Sequence, residues 1–423
     1  MNDPSPAPTR RSVTRRGVLA AGGAAFLGAA GGFALGRTST GAPAATDSAS
    51  TPPPPSPPQP SPSAAELLRT RTIPFHGAHQ AGIETTPALL QTFIGLDLRE
   101  AGPETALAVL RIVTDDAARL TQGQPALGDT EPELAEVPAG LTITLGLGRP
   151  FFLRTGTADR IPEQLTEIPA FSTDRLEDRW GQTDLLLQVG ADDAMTLAHA
   201  TRMLTKDLST LTETKWVQPG FRSSAPAIPG GSVTRNLLSQ PDGIVNPAAD
   251  TDQFDEVVWI PEGPAWVAGG TVLVLRRIRL LMDTWDILDR ETQELVMGRR
   301  VADGAPLGAE QQSDVVPFDA VDERGLPLIP DDAHIRVAHA ATTREMILRR
   351  PFNYDNGMRE GTSDMGLLFA AYMRDPSTSF IPMQERLAQF DAFNEWNTTI
   401  GSAAYFIPAG IEEGQTLAEG IFT

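Results

Sequence analysis

Cysteine is absent from all 423 residues. That excludes disulfides, thiolate nucleophiles, Cys-ligated zinc and iron–sulfur clusters. It also suits a protein that meets oxidants. Positive charge is scarce: 34 Lys and Arg stand against 54 Asp and Glu, a formal net charge of −20 at pH 7. Such a surface repels phosphate backbones, and no basic stripe with interleaved aromatics occurs, so no nucleic-acid partner is expected. Histidine is limited to five residues, tyrosine to three and tryptophan to six. The remainder is that of a soluble globular protein, with 41% hydrophobic and 21% charged residues. The length allows two or three domains with ample core.

Residues 1–44 read as an export signal rather than as part of the fold. Thr14-Arg15-Arg16-Gly17-Val18-Leu19 is a twin-arginine pattern, and a weakly apolar, glycine-rich segment follows it. Ala42-Pro43-Ala44 offers a small-x-small cleavage site. An uncleaved anchor is the alternative, because about 20 apolar residues span a bilayer. The twin-arginine translocase carries folded proteins, so an inserted cofactor is expected. The product would be extracellular, periplasmic or attached to the cell envelope. Residues 45–64 form a Pro-rich linker, TPPPPSPPQPSPS at its centre, expected to be extended polyproline II.

The globular part is expected from residue 65 onward, as an α+β fold. A β-like run covers residues 93–98. An amphipathic helix follows over 103–120, with Leu107, Leu110, Val113 and Ala117 at helical spacing. Strands are predicted at 141–147 and 185–189, and a helix at 194–208. The order strand, helix, strand, strand, helix is that of a ferredoxin-like unit. It returns with strands at 257–260 and 271–279, a helix at 280–288, a strand at 365–373, a helix at 382–393 and a strand at 404–407. Two ferredoxin-like halves are therefore expected, antiparallel sheets flanked by helices, over 65–220 and 221–423. The joint lies around 220–231.

Two stretches carry the chemistry. In DAHIRVAHAATTREMILRRPFNYDNG, residues 332–357, His334 sits in a short β-like run ahead of Arg349 and Arg350. A neutral imidazole is a good axial ligand for iron, and a fixed guanidinium stabilises developing negative charge. A histidine that merely fills a core is the alternative. In RNLLSQPDGIVNP, residues 235–247, Asp242-Gly243 reads either as an ordinary turn or as a carboxylate held beside an arginine. Such a carboxylate can carry a proton between two peroxide oxygens. His76 and His79 have H-x-x-H spacing, but no carboxylate cluster supports a metal there.

Five segments in order resemble the dye-decolourising peroxidases, a family of haem enzymes. They are FHGAHQAGI (75–83), NLLSQPDGIVNP (236–247), DAHIRVAHA (332–340), MILRRPFNY (346–354) and DMGLLFAAYMRD (364–375). The similarity covers the whole globular part and is nearest the exported branch that includes the deferrochelatase/peroxidases. It implies one haem b per subunit, in the C-terminal half. His334 would be the axial iron ligand, with Asp391 hydrogen-bonded to it. Asp242 and Arg349 would be the distal catalytic pair. Haem-lining segments would fall on Gly243, Ile244 and Val245, and on His339, Ala340 and Ala341. His339 stands where the family usually has another residue and could offer a second ligand or a propionate contact, of which the propionate contact is favoured. The implied activity is reduction of hydrogen peroxide with oxidation of dyes, phenols or other bulky organic reductants. Tyr354, Tyr372, Trp396 and Tyr405 are candidates for passing the oxidation outward. Alternatives are iron release from haem, as in a deferrochelatase, and a non-catalytic haem-binding protein. Fold analogy favours a homodimer. Ser239 replaces the first glycine of the family's G-x-x-D-G, and Pro351 replaces an asparagine found in some branches. A positive φ at Ser239 would strain or re-form the turn that carries Asp242.

Overall fold

The computed structural model describes residues 63–223, 234–359 and 361–423, which belong to one compact unit. The signal and all but the last residues of the linker lie outside the described residues, as does most of the 220–231 joint. Among the described residues no helix is long and apolar enough to cross a membrane.

Helix α1 (Ala64–Thr70) precedes β1 (Leu90–Leu98) and α2 (Pro103–Leu120). Proline at its first position suits α2, since the missing N–H has no partner in a first turn. Ala106, Val109, Leu110, Val113, Ala117 and Leu120 recur three or four residues apart and bury one face. Then come β2 (Thr142–Gly148), α3 (Arg149–Arg154), β3 (Leu185–Ala191), α4 (Ala194–Leu208) and β4 (Thr212–Phe221). The Asp193 carboxylate caps α4 by accepting from Thr196 N at 2.9 Å. Strands β2 and β3 are buried at every position, as expected of strands covered on both faces.

The second half runs α5 (Asp252–Val258), β5 (Thr271–Leu280), α6 (Met282–Trp285), α7 (Arg290–Met297), α8 (His334–Val337), β6 (Leu348–Arg349), β7 (Phe352–Arg359), β8 (Thr362–Met373), α9 (Phe380–Phe390) and β9 (Asn397–Ile407). The strand order is β5-β9-β2-β3-β1-β4-β7-β8-β6, and β5 also pairs with β8, so the sheet closes on itself. Each half has the ferredoxin-like arrangement: β4-β1-β3-β2 in the first, β7-β8-β5-β9 in the second. Short seams join them, Leu147 and Gly148 pairing with Phe406 and Tyr405, and Phe221 with Asn353.

Four expectations are corrected. No strand covers 257–260: Val257 and Val258 end α5, where they share a buried helical face with Phe254 and Thr251 caps the start at 3.2 Å, and Trp259 and Ile260 follow outside any element. His334 opens a one-turn helix rather than a strand. The helix expected over 280–288 is only α6, because β5 continues through Leu280. The late helix ends at Phe390, and Asp391 then caps a separate 3-10 turn, Ala392–Glu395. Strands β4 and β7 were not expected.

Candidate active site

The His334 segment is shaped by its neighbours. The turn at Pro330 ends with Ala333 N bonded to Pro330 O at 3.2 Å, and the wholly buried Ala333 seats the helix. Arg336 donates to the carbonyls of Phe318 and Ile329 at 2.7 and 2.8 Å, which pins α8 to the preceding loop. Asp391 arrives from the other side of the chain, with Ala392 N donating to Asp332 O at 2.9 Å. Its carboxylate accepts from Phe393 N through one oxygen, at 2.9 Å, and meets His334 Nδ1 with the other, at 2.6 Å. Phe393 stands edge-on to the imidazole, with ring centroids 5.7 Å apart. Burial works against a charged His334 ring. The charge and hydrogen bond of Asp391 outweigh that burial, Asp242 adds to them and Arg349 opposes them, so the affinity of the ring for a proton is raised. The charges of Asp242 and Arg349 thus act on His334 as well as on each other.

The Asp242 loop is held by a network of its own. Asn236 Oδ1 accepts from Leu238 N and Gln240 N at 3.0 and 3.1 Å, and Asn236 N donates to Gln240 O at 2.9 Å. Arg235 donates to the carbonyls of Ser239, Val301 and Ala302. Ser239 has φ 60°, the left-handed conformation that glycine adopts without cost. Ser239 holds that conformation under strain, and Asp242 still faces Arg349, Oδ1 to Nη1 at 3.1 Å. Gly243 has φ 90°, and a Cβ there would sit 3.3 Å from Asn246 Nδ2, so both backbone and space call for glycine.

Asn246 is a residue that the sequence reading missed. Its side chain accepts from Arg349 N at 2.9 Å and donates to Arg349 O at 2.6 Å. This two-point clamp ties the strand that carries Arg349 to the loop that carries Asp242. The only signal for it was an asparagine four residues beyond the aspartate, before Pro247. Asn353 adds a second tie, accepting from Leu237 N at 3.1 Å.

The other expected residues divide. Gly243 and Ile244 are half-buried beside Asp242, whereas Val245 is 60% exposed. His339 is exposed and lies edge-on to Phe318 at 5.0 Å; Ala340 is half-buried and Ala341 exposed. The three tyrosines proposed to pass oxidation outward, Tyr354, Tyr372 and Tyr405, are fully buried, and only Trp396 of that set is partly exposed. His79 is not paired with His76. It stacks on Trp259 at 3.7 Å and bonds to Gly269 O at 2.7 Å. Among the described residues no cluster of three or more His, Asp or Glu could hold a bare metal ion.

The residues fit a haem. Nδ1 of His334 is engaged by Asp391, which leaves Nε2 as the ligating nitrogen. Asp242 Oδ1 is buried and, although Arg349 Nη1 lies 3.1 Å away, makes no hydrogen bond, so it keeps capacity for a ligand's proton.

Comparison with known proteins gives the chain its relatives. Residues 80–222 match the family model for the Dyp-type peroxidase N-terminal domain, and 233–412 that for the C-terminal domain. The chain is 40% identical to the dye-decolorizing peroxidase of Thermobifida fusca over 362 residues, which is 81% of this chain and 84% of the relative. It is 33% identical to the deferrochelatase of Escherichia coli K12, covering 82% and 86%. The crystal structure of a DyP-type peroxidase from Cellulomonas bogoriensis superposes with a TM-score of 0.81 at 41% identity, covering 84% of this chain and 99% of the other. The oxyferrous complex of DtpA from Streptomyces lividans gives 0.80 at 36% identity, with the same coverage. With both domains matched and its fold shared, this chain belongs to the Dyp-type peroxidase family.

Proposed function

We propose that the protein is a haem b peroxidase, one haem per subunit, that reduces hydrogen peroxide and oxidises dyes, phenols or other bulky organic reductants. The carrying observation is the pairing of a carboxylate-bound imidazole, His334 with Asp391, with the half-buried Asp242–Arg349 pair whose charges reach it. Bound haem would supply the redox equivalents. His334 Nε2 would hold the iron. Asp391 accepts the Nδ1 proton, orients the ring and gives it partial anionic character, which favours oxidised iron. Asp242 Oδ1 takes a proton from one peroxide oxygen and passes it to the other. Arg349 stabilises negative charge on the departing oxygen. Asn246 holds the Arg349 backbone so that both groups face one point. Gly243, Ile244, His339, Ala340 and Ala341 would border the cofactor. With the tyrosines buried, Trp396 is the outlet for bulky reductants. Its ring is edge-on to Trp285 at 5.5 Å, and Trp285 to Phe393 at 5.7 Å, beside His334.

The test is dye oxidation by haem-loaded protein given hydrogen peroxide. Turnover in the wild type, and its loss with a changed Soret band in His334→Ala, is the expected result. Iron release is the second reading, favoured by the 33% identity to a deferrochelatase. Metal-free protoporphyrin after incubation with haem would establish it. We also propose export by the twin-arginine route on the Arg15-Arg16 pattern, checked by retention of Arg15→Lys/Arg16→Lys protein inside the cell. A homodimer is proposed on fold analogy, with light scattering as its check.

A further inference from the structure

Inside the closed sheet, away from His334, lies a set of buried polar atoms that the peroxidase reading does not use. Arg277, on β5, is 5% exposed, and its guanidinium carbon lies 4.0 Å from the ring centroids of both Trp180 and Tyr354. Aromatic faces hold a guanidinium by its flat sides and leave its edge N–H groups free to donate in the plane. Here those groups have no partner. Arg277 Nε and Nη1, Trp180 Nε1 and Tyr354 OH are all buried and lack a hydrogen bond. Buried donors are almost always satisfied, by protein or by something bound. Arg277 and Trp180 line a narrow, mostly apolar cavity between the two halves of the sheet.

The local charge is also unbalanced. Glu177 is shared by Arg179 and Arg279, and Asp364 stands 3.7 Å from both Arg277 and Arg279. Three guanidiniums therefore face two carboxylates, and the one without a close ion pair is the most buried. Burial disfavours its charge, while Asp364 only partly compensates. A separate polar recess is lined by Arg279, Arg359 and Asp364.

From these donors we infer that the cavity at Arg277 and Trp180 binds one small monovalent anion, of halide size. The donor set admits an acceptor-only ligand, and the free space suits a single ion about the size of a water molecule. Trp180 belongs to the first half of the chain and Arg277 to the second, so the anion ties the halves together. The inference does not depend on peroxidase activity.

The test is a bromide soak of crystals of the haem-loaded protein, read by anomalous scattering, with thermal unfolding in solution alongside. The expected result is a bromide peak within hydrogen-bonding distance of the Arg277 guanidinium. In solution, bromide should raise the unfolding midpoint saturably above gluconate at equal ionic strength. Trp180→Phe, which removes one orphaned N–H of the lining and keeps an aromatic face, should weaken that rise severalfold, and Arg277→Met should abolish it. If Arg277→Met does not fold, the Trp180→Phe comparison carries the test. Ordered water alone in the cavity, or an equal rise in wild type and Trp180→Phe, overturns the inference.

Discussion

At the scale of single residues, the proposed site would depend on groups that do not themselves touch peroxide. Asp391 sets the electron density and orientation of His334 through a 2.6 Å bond. Asp391→Asn should keep haem and lower the rate of reaction with peroxide by about 10–100-fold, the usual cost of losing such a partner. Stopped-flow absorption checks this, and reductive titration should show a raised iron potential. Asn246→Ala removes both bonds to the Arg349 backbone. It should cost about 1–3 kcal/mol of stability and lower kcat/KM for peroxide, while haem stoichiometry is unchanged. Ser239→Gly should gain about 0.5–1 kcal/mol in denaturant unfolding, because φ 60° is strained for serine. The segments carrying His334, Asp242 and Arg349 were legible as motifs, and the structure sets Asp242 against Arg349 and Asp391 against His334. Asn246 was not, because a clamp on another segment's backbone leaves no pattern in sequence. The burial of all three tyrosines was equally hidden, since burial of a tyrosine depends on which strands close over it.

At the scale of elements, long periodic segments were legible and short ones were not. The bounds of α2 and α4 follow from apolar spacing and from Pro103 and Asp193 at their starts. The His334 run, HIRV, fits a strand on propensity, yet it is a helical turn because Pro330 and the Arg336 bonds to loop carbonyls fix it. Strand β4 was missed because only part of it is buried and it contains Pro219. Within the second half, β8 and β5 approach closely at Gly366, where a Cβ would lie 2.0 Å from Ile278 O. Gly366→Ala should separate these strands and cost about 3 kcal/mol, as overpacking does. Urea unfolding measures it.

At the scale of the molecule, the two halves were legible as an element order, but their closure into one sheet was not. The seams consist of a few pairs, such as Phe221 with Asn353, that no local pattern announces. Stability should also depend on pH through Asp116, between α2 and α4. Burial, with Asp207 and Asp115 nearby, raises its carboxyl to about 7, against the partial opposition of Lys206 and Arg119. The folded protein thus keeps a proton that the unfolded chain releases near 3.8. Folding takes up a proton between these values, so stability falls as pH rises from about 4 to 7. Asp116→Asn should remove that part of the slope in urea unfolding.

The central claim is that His334 holds a haem whose peroxide chemistry is run by Asp242 and Arg349. Stopped-flow mixing of the haem-loaded protein with one equivalent of hydrogen peroxide tests it most directly, in the wild type and in Arg349→Leu. The wild type should change its Soret band within milliseconds. Arg349→Leu should bind haem equally and react about 100–1,000-fold more slowly, the scale of losing one preorganised donor. A wild-type Soret band indifferent to peroxide, or an undiminished rate in Arg349→Leu, would contradict the account.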